Sequence, residues 1–306
     1  MSGTPAPENR VTEMRPPIAV AAATVGIVTA TLLTSTLAGR PTGEALFVHA
    51  VLLGVLLLAS REGRRIRKEE TRVVLTALLA VGSTFFLYSS LGQVAFTAIP
   101  WLGDPWVRGW DRALFFGTEP VVWVAQVVAA HPWLTEPLAF FYAAFVPYVY
   151  MTVLLGLVGR PARTRAIFVL GFALLYGASF MGYLFVPARG PVVSMTDVLT
   201  VPLDGGFFYS IVVRSVDAVG GPHGAFPSLH VGATCLAMLV DFRHGDALRG
   251  LIYVPLLILI CVATVVLRYH YVTDLVAGAT LALAALTLAE RWVAQAEPRP
   301  APRESW

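Results

Sequence analysis

The sequence predicts an all-α polytopic membrane protein with about eight transmembrane helices. Of its 306 residues, 57% are hydrophobic and only 13% are charged, and the mean hydropathy is +0.70. Soluble domains carry about 25% charged residues, so a water-soluble globule is excluded. Several apolar runs also approach the length of about 20 residues that a helix needs to cross a bilayer.

Eight apolar runs follow one another, and each is predicted to be a membrane helix. The second and sixth are short and need flanking residues to complete a crossing. The runs are 18–38, 45–60, 73–94, 138–158, 166–186, 227–240, 251–267 and 272–289. They divide the chain into a polar N-terminal tail (1–17), two extra N-terminal helices with a basic loop (18–72), a six-helix membrane domain (73–290) and a C-terminal tail (291–306).

The distribution of basic residues predicts the orientation of the chain, because Lys and Arg are enriched in cytoplasmic loops. With both termini in the cytoplasm, 16 of the 22 Lys and Arg residues fall on the cytoplasmic side and 6 on the outer side. The chain is therefore predicted to be a multi-pass protein of the cell membrane. This orientation brings two polar segments, 227–230 and 268–274, to the same non-cytoplasmic face.

Two long segments are predicted on that outer face. Segment 95–137 is rich in aromatic residues, which suits the bilayer interface. Its stretch 120–130 is predicted to form a helix that lies in the interface or dips into the membrane. Segment 187–226 is a polar connection beside the candidate site, and a loop of this length is typical of a functional element.

His270 and Asp274 open the last apolar run and are the first candidate site residues. Four residues apart on a helix, they would share a face, and the carboxylate would accept the Nδ1–H of the imidazole. That contact would leave Nε2 free as a nucleophile or base. The alternative is a structural pair at the interface, although ionisable groups at membrane depth usually mark function.

Ser228 and His230 lie at the start of the sixth run, where a helix is predicted to begin at about Pro227. Ser is a good capping residue, and the free amides of a helix N-terminus favour phosphate. His230 would then donate a proton to a leaving oxygen. The alternative for His230 is a structural role in capping or packing.

Further candidates lie on the outer side. Arg189 and Arg268 suit bidentate contacts with phosphate. Alternatively, each is a residue at the membrane boundary whose guanidinium reaches the membrane–water interface. His223 and Arg214 belong to the segment 187–226 and are possible substrate-loop residues.

A metal site is the weaker option. The histidines and Asp274 do not have the spacing of the usual two-His helical zinc pattern. Cys235 and Cys261 lie inside apolar runs, where they are most simply buried small hydrophobic residues.

The two motifs resemble those of the type-two phosphatidic acid phosphatase superfamily, and more closely its inositol phosphorylceramide synthase branch. Usual forms in that branch are Gly-Ala-Phe-Pro-Ser-Leu-His, which stands here at 224–230, and His-Tyr-x-x-Asp, which stands at 270–274. The resemblance covers roughly residues 73–290. It implies a six-helix catalytic core, preceded here by two extra helices.

The resemblance implies metal-independent phosphoryl transfer through a phosphohistidine, with no cofactor. It makes His270 the nucleophile, Asp274 the residue that orients it and His230 the general acid. The phosphate-binding residues would be Ser228, Arg268 and Arg189. The implied partners are a lipid phosphate, water or an alcohol acceptor, and the bilayer, with no nucleic acid.

Three positions differ from the usual family pattern. The Lys position of the first motif is Gly182, and Arg189-Gly190-Pro191 only approximates the end of that motif. The third motif usually has an Arg six residues before its His, where this sequence has Thr264, so Arg268 would substitute. The second motif has Leu229 where Gly is commonest. These differences favour the synthase-like branch over the plain phosphatases.

Two outcomes stay open within this interpretation, a lipid phosphatase and a transferase that moves a phosphorylated head group to an alcohol. The motif forms favour the transferase slightly. A hypothesis from another class is a transporter or lipid translocator in which the histidines relay protons. The clustering of ionisable residues at helix starts on one face argues against that hypothesis.

Overall fold

The chain forms a bundle of helices in the computed structural model, which describes residues 15–62, 69–158 and 160–296. Twelve α-helices lie within these ranges. They are α1 (Arg15–Leu37), α2 (Gly43–Glu62), α3 (Glu69–Ala98), α4 (Asp104–Leu114), α5 (Pro120–Ala130), α6 (Thr135–Leu157), α7 (Ala162–Phe185), α8 (Pro191–Ser194), α9 (Phe207–Ala218), α10 (Leu229–His244), α11 (Ala247–Val266) and α12 (Val272–Ala296).

Six helices of the described chain are long and apolar enough to span a membrane, namely α1, α2, α6, α7, α11 and α12. The predicted fold class is thereby confirmed, and the chain is an integral membrane protein. The third and sixth predicted runs correspond to α3 and α10. Most of the predicted N-terminal tail, the basic loop at 63–68 and the end of the C-terminal tail lie outside the described residues.

Helix α10 is the central helix of the bundle. It packs against α6, α7, α11 and α12, and most of its apolar residues are buried, as expected for an enclosed helix. Its 16 residues give a length of about 24 Å, less than the roughly 30 Å hydrocarbon core. Because neighbouring helices enclose α10, its short length leaves little of its backbone facing lipid.

Two glycines let α10 and α12 approach each other closely. A Cβ on Gly278 would lie 2.3 Å from the carbonyl oxygen of Ser228, and a Cβ on Gly232 would lie 3.1 Å from the carbonyl oxygen of Gly278. Small residues at such contacts allow helix backbones to pack directly in membranes. This contact holds the first turn of α10 beside the first turns of α12.

A buried ion pair fixes the other end of α10. Arg160, in the connection between α6 and α7, lies 2.8 Å from Asp241, and both side chains are almost fully buried. Arg249 of α11 is 3.5 Å from the same carboxylate. Because a buried charge left without its partner is costly, these contacts tie the far ends of three helices together.

The segments 95–137 and 187–226, which are predicted to be outer, lie at the opposite end of the bundle. The helix predicted at 120–130 is confirmed as α5, with the same bounds. The five tryptophans of segment 95–137 are exposed, as expected for an interfacial position; they are Trp101, Trp106, Trp110, Trp123 and Trp133. Glu136, in the first turn of α6, accepts hydrogen bonds from the N–H groups of Gly206 and Phe208, both at 2.7 Å, and so caps α9.

Replacing Gly278 with Ala is expected to lower the thermal unfolding midpoint of the purified protein in detergent. The added methyl group must displace the Ser228 carbonyl, and overpacking of this kind costs about 1–3 kcal/mol. The matched control is Gly54→Ala in α2, where a Cβ would meet no atom within 4 Å. An unchanged midpoint for Gly278→Ala would contradict the close contact between α10 and α12.

Candidate active site

Three connections meet at one end of the bundle, which is the end predicted to be non-cytoplasmic, and form the candidate site. They follow α7, precede α10 and precede α12. Backbone hydrogen bonds join them, from Ala225 N–H to Ala188 O (3.2 Å), from Val192 N–H to Arg268 O (2.7 Å) and from Ser228 N–H to Asp274 O (3.0 Å). These bonds bring the two polar segments 227–230 and 268–274 into direct contact.

His270 is buried, and its surroundings set its tautomer. The Nδ1 atom lies 2.9 Å from the carbonyl oxygen of Ala225 and 3.3 Å from Oδ2 of Asp274. Both oxygens accept hydrogen bonds, so Nδ1 carries the proton in the neutral ring. The Nε2 atom therefore keeps its lone pair, and it faces Ser228 Oγ and His230 Nδ1, each at 3.3 Å.

The contact between His270 and Asp274 does not arise as the sequence predicted. His270 lies two residues before α12 begins, so the two residues do not share a helical face. Asp274 stands in the first turn and turns back, so that its Oδ2 also accepts the Tyr271 N–H at 2.8 Å. The nearer acceptor for the His270 ring is the backbone carbonyl of Ala225, which sequence reasoning missed.

His230 and Ser228 lie at the N-terminus of α10. The helix begins at Leu229 and not at Pro227, and Ser228 is its N-cap, accepting the Val231 N–H at 3.4 Å. His230 lies in the first turn. Its ring packs between two aromatic rings of α6, with centroid distances of 4.5 Å to Tyr142 and 4.2 Å to Phe145. These rings fix the imidazole beside His270.

Two aspartates of α4 support the site from outside the motifs. Asp111 accepts hydrogen bonds from Val272 N–H (3.2 Å), Thr273 N–H (2.7 Å) and the Thr273 hydroxyl (2.6 Å), so it caps α12. Asp104 accepts the N–H groups of Arg189 and Gly190 at 2.9 and 2.8 Å. Both carboxylates are buried. The sequence signal for them is weak, because their partners lie more than 80 residues away.

The two candidate arginines differ in position. Arg189 lines the cavity that reaches the histidines, and its guanidinium carbon lies 4.4 Å from the centre of the Phe96 ring. Arg268 is buried beside the loop that carries Leu199, whose carbonyl accepts from Nη1 at 3.4 Å, while Nε has no partner among the described residues. Burial lowers the pKa of Arg268, and its side chain does not line the cavity.

Two of the three positions that differ from the family pattern, Gly182 and Thr264, have little room for a cation. A Cβ on Gly182 would lie 2.3 Å from Cδ of Pro227, so no larger side chain fits there. Thr264 is fully buried, and its carbonyl accepts the N–H groups of Tyr269 and His270 at 3.1 and 3.2 Å. These positions therefore shape the backbone of the site and contribute no charge to it.

Of the two candidate loop residues, only His223 lines the cavity. It packs on Tyr88 of α3, with ring centroids 5.2 Å apart. Its Nδ1 lies 2.8 Å from the Gly221 carbonyl, and burial lowers the pKa of its imidazole. Arg214 is exposed on α9 and does not line the cavity.

An apolar cavity of about 560 Å³ leads away from the two histidines into the bundle. Arg189, His223, His230 and His270 line its polar end, and helices α1, α3, α6, α7 and α9 supply the remaining walls. Within the described chain, no group of three or more His, Cys, Asp or Glu side chains is arranged to hold a metal ion.

The fold and the site define a polytopic helical membrane protein with paired histidines at one end of an apolar cavity. A family model described as the PAP2 superfamily matches residues 105–288, about three-fifths of the chain. The chain therefore belongs to the PAP2 superfamily, which indicates a phosphatase-type enzyme. Comparisons with curated proteins and with solved structures found no significant match.

Replacing Asp111 with Asn is expected to lower kcat and leave KM nearly unchanged, because Asp111 positions α12 and does not touch the cavity. Asn at position 111 keeps one acceptor oxygen but loses the charge, and hydrogen bonds to charged groups contribute about 1.5–3 kcal/mol. A fall in kcat of about 10-fold or more is therefore expected. Steady-state kinetics in detergent would test this. Asp217→Asn, at an exposed position of α9, is the control, and an equal effect there would contradict the role of Asp111.

Proposed function

We propose that this protein transfers a phosphoryl group from a lipid phosphate ester through a phosphohistidine at His270. The observation that carries the proposal is the contact between His270 and His230, 3.3 Å apart at the polar end of the apolar cavity. A nucleophile, a proton donor and space for a lipid chain thus adjoin one another. The positive-inside distribution of Lys and Arg supports an active site on the non-cytoplasmic face.

The first step uses the tautomer described above. The Nε2 lone pair of His270 attacks phosphorus, a P–N bond forms, and the P–O bond to the leaving group breaks as His230 gives a proton to the leaving oxygen. Asp274 and the Ala225 carbonyl stabilise the positive charge that develops on the His270 ring. Ser228 donates its hydroxyl hydrogen to a phosphoryl oxygen, and the guanidinium of Arg189 offsets the phosphate charge.

The second step regenerates the enzyme. Water or an alcohol attacks phosphorus, its proton passes to His230, and the P–N bond breaks. Water gives a phosphatase, and an alcohol gives a phosphotransferase. The chemistry of His270 is the same in both cases, so access to the phosphohistidine decides between them.

The covered cavity favours the transferase, in line with the motif resemblance to the inositol phosphorylceramide synthase branch. Helix α9 contributes Ile211, Val212 and Ser215 to the cavity wall, and the connection 221–224 contributes four more residues. The cap that Glu136 forms at the start of α9 holds this cover against α6. A covered site restricts water and gives an alcohol acceptor the advantage.

Replacing His270 with Ala is expected to abolish turnover, with a loss of at least about 10³-fold. Purified protein would be assayed with EDTA present, for phosphate release from lipid phosphates and for transfer of labelled phosphate or head group to an added alcohol. His131→Ala, at an exposed loop position, is the control. Equal activity of His270→Ala and wild type would overturn the proposal, and no activity in either assay would favour the transporter hypothesis.

Replacing Arg189 with Gln is expected to lower kcat/KM by about 10²- to 10³-fold, the range found when one stabilising donor is lost from an active site. Arg268→Gln should have a smaller effect, because its side chain lies outside the cavity. Arg291→Gln, exposed in α12, serves as the control. A larger loss for Arg268→Gln than for Arg189→Gln would assign phosphate binding to Arg268 instead.

A further inference from the structure

The cavity runs much further than a phosphate needs, and its length can be estimated from the helices that line it. Lining residues of α6 extend from Tyr142 to Leu157, and those of α7 extend from Phe168 to Tyr183. Each pair is fifteen residues apart, which corresponds to about 22 Å along a helix. One leaflet contributes about 15 Å of the hydrocarbon core, so the cavity passes the bilayer midplane.

The deep part of the cavity is completed by α1. Pro17 and Ala21 line it there, and Thr24 lines it nearer the histidines. Helix α1 is held in place against α7, where a Cβ on Gly177 would lie 2.9 Å from the Thr24 hydroxyl. This helix precedes the region 105–288 that matches the PAP2 superfamily. A wall of the cavity therefore comes from an element outside the matched region.

The cavity lies between α6 on one side and α1 and α3 on the other. These three helices all pack on α7, and each of them contributes residues to the cavity wall. Val146 and Tyr150 of α6 line the cavity, and 52% and 36% of their surface is accessible. A chain that entered between α6 and the N-terminal helices would reach the cavity from the bilayer without crossing water.

Two independent estimates give the size of the occupant. An extended hydrocarbon advances about 1.25 Å per carbon, given C–C bonds of about 1.52 Å and angles of about 111°, so about 22 Å holds about 18 carbons. A cavity of about 150 Å³ holds one benzene molecule, which has six carbons, so each carbon takes about 25 Å³ of cavity volume. At that density the 560 Å³ cavity holds about 22 carbons. Both estimates fit one chain, and two such chains would not fit.

We propose that the cavity binds a single extended hydrocarbon chain of about 18–22 carbons from the lipid phosphate, with α1 enclosing its far end. This inference rests on the proposed function, because it places the phosphate at His270. Helix α1 then sets the chain length that the enzyme prefers. A chain that ends before Thr24 makes no contact with the cavity-lining residues of α1, whereas a longer chain does.

The test compares alkyl phosphates of increasing chain length, from octyl to octadecyl phosphate, as substrates for the full-length protein in mixed micelles. Ala21→Trp fills the deep part from α1, and Val153→Trp fills it from α6. Each is expected to lower kcat/KM for octadecyl phosphate by at least about tenfold, since the loss of even two buried methylene contacts has that effect. Activity on octyl phosphate should stay within about twofold of the wild-type activity. That result would show that the variants are folded.

The control is Ala23→Trp, because Ala23 is exposed on α1 and does not line the cavity. It should leave the chain-length profile of the wild type unchanged. Equal losses on octyl and octadecyl phosphate in both cavity variants, or no loss on octadecyl phosphate, would overturn the inference.

A binding measurement separates this inference from the proposed function. Octadecyl phosphate binding would be measured by native mass spectrometry in a His270→Ala background, with and without Ala21→Trp. Binding that is lost only with Ala21→Trp supports the cavity as the chain site, even if the wild type turns over no lipid and the proposed function fails. Equal binding in both proteins would overturn the inference.

Discussion

The close approach of α10 to α12 is the constraint on which the rest of the site depends. The two catalytic candidates, His230 and His270, belong to different segments, and their rings can touch only if the helix starts lie side by side. Gly278 permits that approach, and the Ser228 N–H fixes it by bonding to the Asp274 carbonyl. A larger residue at this contact would separate the imidazoles without altering either of them.

Much of the fold follows from the sequence because the bilayer imposes a simple rule. A run of about 20 apolar residues must be helical to satisfy its backbone, and the predicted runs correspond to observed helices. The juxtaposition of the segments 227–230 and 268–274 also follows, since an even number of crossings separates them from one another. The catalytic and binding roles assigned to their residues stay predictions.

Other features of the site were not predictable from sequence spacing. Arg268 has a φ of +64° and its side chain does not line the cavity, neither of which its position two residues before His270 reveals. The Ala225 carbonyl is a backbone atom and carries no side-chain signal. Asp104 and Asp111 act on partners far along the chain, so their roles appear only once the helices are packed.

Helix α3 lies before the matched region, yet its residues contact the candidate site. Phe96 lies under the guanidinium of Arg189, and the Tyr88 ring packs on His223. A Cβ on Gly92 would collide with the same imidazole. None of these three residues lies within the matched region 105–288. The matched region is therefore smaller than the set of helices that builds the candidate site, and a chain cut to the matched residues would lose one side of that site.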